Sequence, residues 1–227
     1  MLRRELAEIC EPVLRQVLDH PFWSGLRDGT LPPAALARFV GQDTAFLLPA
    51  YARALARCAA AATEDADTLL FGQSVVGTLE ARDGLRAAYA ALAGGLRLPE
   101  PATDPVAEPA VAAHAAFFTD SAESSFEAGL GALLPMVWFN AKVTDHLRDN
   151  AVPGSRYLPW IAAYHPGESY GYAVEAFLSL ADRVGAQSPP RLRRVITDHF
   201  SRGVRHELAF ADCCADLTAR PAGKGAR

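Results

Sequence analysis

The chain has 227 residues, half of them hydrophobic, which is enough for one domain with a full-sized core. Its formal charge is -4, with 22 Lys and Arg against 26 Asp and Glu, so it offers no cationic footprint for nucleic acid or an anionic membrane. No apolar run reaches the roughly eighteen residues of a membrane span. The opening MLRRELAEIC carries charge where an export signal needs an apolar stretch, and the four cysteines lack CxxC spacing. These features predict a cytoplasmic protein with reduced thiols.

Taken in order, Leu2, Leu6, Ile9, Val13, Leu14 and Val17 recur at helical spacing and predict an amphipathic first helix that stops at His20-Pro21. Thr30-Leu31-Pro32-Pro33 starts a second helix that runs to Ala62, with a kink near Pro49. Thr63 opens a third, which Gly94-Gly95 closes. The proline-rich segment from Leu96 to Pro109 is a connecting loop, and a shorter helix covers Ala110 to Asp120.

The stretch from Ser124 to Asn150 reads as the interior helix around which the others wrap. Ser124 with Glu127 makes a capping box, Asn150 can take a left-handed stop, and Pro135 forces a kink that turns Met136 to Asn140 towards a pocket. Trp160 and Tyr164 share one helical face. A further helix spans 168–184 and ends at Gly185. Ser188-Pro189-Pro190 starts the last, which runs to about Leu217 before a basic tail. No segment alternates with period two, so the expected fold is all-α, a single-domain bundle of about seven or eight helices over residues 1–218, with 219–227 a disordered tail.

Two carboxylates stand in apolar surroundings: Asp43 in FVGQDTAFLLPAY and Glu207 in GVRHELAFADCC. Each must be paired or serve a ligand, and for Glu207 the structural partner at hand is Arg205. His206 reads as exposed or capping, and Arg191, Arg194, Arg202 and Arg205 as a solvated helix face. Trp138 and Phe139 are core rings unless an aromatic ligand stacks there. Cys58, Cys213 and Cys214 read as inert packing residues.

Together these segments form a pattern. HPFWSGLRDGTLPPAALARFVGQDTAFL, then LLPMVWFNAKV, WIAAY and RHELAFADCC, resemble in order the motifs of the TenA/thiaminase II family, over residues 5 to 217. The resemblance implies a haem-oxygenase-like helical fold, a homo-oligomer (dimer or tetramer), and a small aminopyrimidine-like substrate derived from thiamine. From charge, apolar-run length and the lack of paired carboxylate-histidine ligands, no cofactor, metal, nucleic-acid or membrane partner is expected. Position by position, the resemblance assigns Glu207 the catalytic role and Asp43 the aminopyrimidine. It makes Phe46, Trp138 and Tyr164 pocket aromatics.

At three positions the sequence departs from the family pattern. Met136 stands where the family's nucleophilic cysteine does, and Asn140 replaces a tyrosine. Ala113, beside His114, replaces a pocket tyrosine of the preceding helix. A thioether cannot form a thiolate, so the covalent route is closed at Met136. The resemblance is therefore to the branch that lacks the cysteine, in which Glu207 acts as general acid or base in hydrolysis of an aminopyrimidine.

Two alternatives stand beside this expectation. One is a non-catalytic binder of a pyrimidine or related aromatic ligand on the same scaffold. The other is an oxidase or oxygenase of the haem-oxygenase-like superfamily. For the latter, Glu80 with Asp83, and Asp198 with Arg202, lack the histidines a di-iron site needs, and His20 is accounted for by a His-Pro turn.

Overall fold

The computed structural model describes residues 1–100, 102 and 104–215, and among these every regular element is helical. In chain order they are α1 (Leu2–Leu18), α2 (Pro21–Asp28), α3 (Pro33–Gln42), a π-helical turn (Asp43–Leu47), α4 (Leu48–Ala61), α5 (Asp65–Leu96), α6 (Pro109–Ser124), α7 (Phe126–Asn150), α8 (Leu158–Tyr164), α9 (Tyr170–Gln187) and α10 (Pro190–Ala215). The expected tail and its boundary at 218 lie outside the described residues.

α7 is the interior helix. Every residue from Ala128 to Pro135 is buried, the signature of a helix enclosed on all sides. It packs against α10, α6, α4, α9, α1, α2 and α8. Small residues set how closely it does so. A Cβ on Gly131 would collide with the Ile196 carbonyl oxygen of α10, and one on Gly203 of α10 would lie 2.8 Å from the Pro135 ring. These two glycines let α7 and α10 approach backbone to ring, and that seam fixes where Glu207, one turn beyond Gly203, can point.

Several helix ends differ from the sequence reading. α2 is an additional helix: His20 is its N-cap, with Nδ1 accepting from the Phe22 N–H at 3.2 Å, and Gly29 ends it at φ 83°. Ser124 is the last residue of α6; Ser125 caps α7, its Oγ accepting from the Ala128 N–H at 3.1 Å. Asn150 is still helical and turns its side chain back to the His146 carbonyl, while extended Ala151 ends the helix. α5 passes Gly94-Gly95 because Leu96 is buried; Arg97 takes the left-handed cap at φ 54°, and the Leu98 N–H reaches the Ala93 carbonyl. α9 passes Gly185, which packs on Leu2 of α1.

Gly131→Ala forces the α7 and α10 backbones apart and is expected to cost about 1–3 kcal/mol in urea denaturation. Gly72→Ala, in α5 with open space at its Cβ, is expected to stabilise by about 0.5–1 kcal/mol.

Candidate active site

The site begins with the π turn. Pro49 has no N–H to give an α-helical bond, and just before it the helix widens so that the Leu48 N–H bonds the Asp43 carbonyl five residues back. The Thr44 carbonyl, left over by the wider turn, accepts from Arg86 Nη2 of α5 at 3.0 Å. Gln42 clamps the other flank: its amide donates to the Val106 carbonyl at 2.9 Å and accepts from the Glu108 N–H at 2.9 Å. Asp43 is thereby held, 5% exposed, in the wall of a cavity of about 810 Å³.

Of the residues singled out in the sequence, Asp43, Met136, Asn140, Tyr164 and Glu207 line this cavity. Phe46 and Trp138 do not. In a π turn the side chains four and five places on, Leu47 and Leu48, join Asp43 in the wall, and Phe46 faces a separate shallow cleft with Ala45, Ala50 and Arg53. Trp138 lies on the face of α7 opposite Met136, 9% exposed, with its ring 5.9 Å from Phe200 of α10.

Tyr164 sits in an aromatic bed that the sequence reading only partly named. Its ring stacks on Trp23 at 5.9 Å and on Trp160 at 6.2 Å, and meets the edge of Phe39 at 5.7 Å. Its hydroxyl accepts from Asn140 Nδ2 at 3.1 Å. Trp23, Phe39, Tyr51, Tyr170 and Phe210 also line the cavity. No sequence signal separates them from core rings, since what brings them together is the crossing of helices far apart in the chain.

The electrostatics follow from burial. Desolvation lifts the Asp43 carboxyl to about 7, and desolvation reinforced by the Asp43 charge lifts Glu207 to about 8. The Glu207 side chain is 13% exposed and opens onto the cavity. Burial also drives the phenols of Tyr51, Tyr164 and Tyr170 upward. Among the described residues, no lysine, arginine or histidine is in the cavity wall. The arrangement therefore presents proton-holding carboxyls and neutral donors between flat apolar rings, suited to a planar heteroaromatic with amino groups.

Around Glu207 the structure revises two expectations. Arg205 donates instead to Ser201 Oγ, and together with Arg191, Arg194 and Arg202 it is exposed. His206 is half-buried and stacked on Phe117 and His114, each at 4.8 Å. His114 lies beside Glu207: its Nε2 is 3.8 Å from Oε1. This is not an ion pair, because burial first and His206 second push the imidazole well below its usual pKa while Glu207 holds its proton.

The cysteines lie elsewhere. None lines the cavity, and burial pushes the Cys10 and Cys58 thiols up to about 12. Among the described residues no group of three or more His, Cys, Asp and Glu is placed to hold a metal ion. His20 is engaged at both nitrogens, Nε2 lying 3.1 Å from Asp212.

Residues 8–213 match the family model described as TENA/THI-4/PQQC. The chain belongs to this family. A curated relative, the thiamine biosynthesis multifunctional protein ThiED of Corynebacterium efficiens, is 26% identical over 92% of the chain, and the chain spans 28% of that protein's length. Among solved structures, a TenA homologue from Pyrococcus furiosus superposes with TM-score 0.80 at 18% identity, covering 94% of this chain and 100% of that one. A TenA homologue from P. horikoshii gives 0.70 at 26%, covering 94% and 98%. The fold is the all-α, haem-oxygenase-like fold of these TenA proteins.

A buried carboxyl with a raised pKa keeps a proton in the folded chain that the unfolded chain releases near pH 4–5, so its stabilising contribution is full at low pH and is lost as pH rises through about 8. Thermal stability of the ligand-free protein is therefore expected to fall between pH 5 and pH 9. Glu207→Gln is expected to remove on the order of 3 kcal/mol of that fall, read by calorimetry at both pH values.

Proposed function

We propose that this TenA-family protein hydrolyses a C–N bond of a thiamine-derived aminopyrimidine, in salvage of pyrimidine precursors, with Glu207 as general acid and base and no cysteine nucleophile. The observation that carries the reading is the meeting of Asp43 and Glu207, from opposite ends of the chain, in one ring-lined cavity. The thiamine-biosynthesis role in the name of the C. efficiens relative supports the substrate class.

A carboxyl near pKa 7 suits an aminopyrimidine. The Asp43 hydroxyl donates to a ring nitrogen while its carbonyl oxygen accepts from the exocyclic amine, and the pair stays matched if the proton crosses to the ring. Tyr164 and its neighbours Trp23 and Phe39 supply the flat walls. In the ionised form, Glu207 takes a proton from water as the water oxygen adds to the carbon bearing the leaving nitrogen. It then returns that proton to the nitrogen as the C–N bond breaks. The Met136 side chain contributes only apolar surface. We place the protein in the cytoplasm as a homo-oligomer, dimer or tetramer. Four cysteines outside any disulfide and the exposed Leu69 and Val76 of α5 support this placement.

The second reading, a non-catalytic binder, draws on Met136 and Asn140, which fill the wall where the family pattern has a nucleophile and a phenol. A complex that survives long incubation without product would establish it.

Glu207→Gln is expected to lower kcat on an aminopyrimidine amide or amine by roughly 10²–10⁴ while leaving ligand binding by calorimetry within about threefold. Wild-type kcat/KM is expected to rise with pH through about 8 as Glu207 ionises. Unchanged turnover in the variant would remove the mechanism. Asp43→Asn is expected instead to weaken binding, by roughly ten- to a hundredfold in Kd.

A further inference from the structure

Buried polar atoms are almost always hydrogen-bonded, yet three unpartnered ones converge beside the cavity. Both ring nitrogens of His114 and Oε1 of Glu207 lack a hydrogen-bond partner among the described residues, and Nε2 is 3.8 Å from Oε1. His114 is 1% exposed, and its imidazole is sandwiched between Phe118, at 4.3 Å, and His206, at 4.8 Å, which rests in turn on Phe117. Packing thus fixes the ring plane of His114 and leaves its edge towards Glu207 with less than 1 Å to close.

We propose that His114 is the positioning residue for Glu207: its Nε2–H closes onto Oε1 when Glu207 ionises, so that the other carboxylate oxygen is presented to the cavity. No proton changes owner between the two. The imidazole keeps its Nε2–H throughout, and the Glu207 proton leaves to substrate or solvent. Among the described residues no histidine, lysine or arginine lines the cavity, so an N–H donor of this kind reaches Glu207 from outside its wall.

The other groups bearing on Glu207 oppose its ionisation or lie aside. Asp43 of the π turn raises it by its charge. The phenols of Tyr51 on α4, Tyr164 on α8 and Tyr170 on α9, and the Cys10 thiol on α1, feel the Glu207 charge but hold their protons. On α10, Arg202 and Arg205 act on His206 and help keep it neutral. A neutral His114, desolvated and beside His206, is an N–H donor held by its ring stack 3.8 Å from Oε1, where closing the gap favours the ionised form.

The inference rests on the proposed function only for the proton-moving role of Glu207; the coupling belongs to the ligand-free chain. The test is a ¹³C-carboxyl NMR titration of Glu207 in the ligand-free protein. His114→Phe, which keeps the ring stack and removes the donor, is expected to move the Glu207 titration up by about one pH unit, a tenfold change in its ionisation constant. His114→Gln, whose amide can donate from the Nε2 position, is expected to restore it. Titrations unchanged in both variants overturn the proposal.

Should His114→Phe fail to fold, ¹⁵N shifts of wild-type His114 decide. They are expected to show the Nε2–H tautomer and to move at the pH where Glu207 titrates, and shifts that ignore that pH overturn it. In turnover, His114→Phe is expected to lower kcat at least tenfold with KM unchanged. If the titration couples but the wild type turns over no aminopyrimidine, the functional reading fails and the coupling stands.

Discussion

A carboxyl group taken out of water must find a cation, find donors, or keep its proton. The cavity of this protein imposes that condition twice, on Asp43 and on Glu207, and no lysine, arginine or histidine among the described residues lines it. Each is therefore poised near neutrality instead of deep in the ordinary carboxylate range, Asp43 by burial alone and Glu207 by burial reinforced by the Asp43 charge. A site of this kind is a place where protons can be exchanged with a bound heteroaromatic at little cost, and also a place where the empty fold is under electrostatic stress above neutral pH.

The backbone is shaped to create that condition. Asp43 enters the cavity on a widened turn set by Pro49 and held by Arg86 and Gln42. Glu207 enters from α10, which lies against α7 at the closeness that Gly131 and Gly203 allow. Asn140 and Met136 come from α7 itself, and Tyr164 from the short α8. The aromatic bed of Trp23, Phe39 and Tyr164 then supplies rigid walls whose rings brace one another. Recognition surface and proton-active groups are thus carried on packed helices and not on loops, so the geometry is fixed before any ligand arrives.

Sulfur has no part in this arrangement. Met136 occupies the cavity wall with a capped atom, and the buried Cys10, Cys58 and Cys214 are held as thiols by the same desolvation that raises the carboxyls. Membership of the TENA/THI-4/PQQC family and superposition on TenA homologues account for the scaffold. His114 approaches Glu207 from behind the cavity wall and not from within it, its Nε2 3.8 Å from Oε1.

Much of the fold was legible in the sequence because helical periodicity and proline or glycine punctuation are local signals. The all-α class, the buried α7, and the start sites at Pro33 and Pro190 follow from them. Of the site, the two isolated carboxylates were legible as well, since a charge amid apolar neighbours is conspicuous at any distance. What local pattern does not carry is which way a side chain turns once helices cross. A π turn moved Phe46 out of the cavity and brought Leu47 and Leu48 in, and the opposite face of α7 took Trp138 to Phe200. Trp23, Tyr51 and Tyr170 became cavity walls, and His114 a neighbour of Glu207, only through contacts between elements distant in sequence. The sequence by itself determined which helices form and which acids need an explanation. The tertiary structure decided which side chains share a space, because burial and proximity arise from packing and not from spacing along the chain.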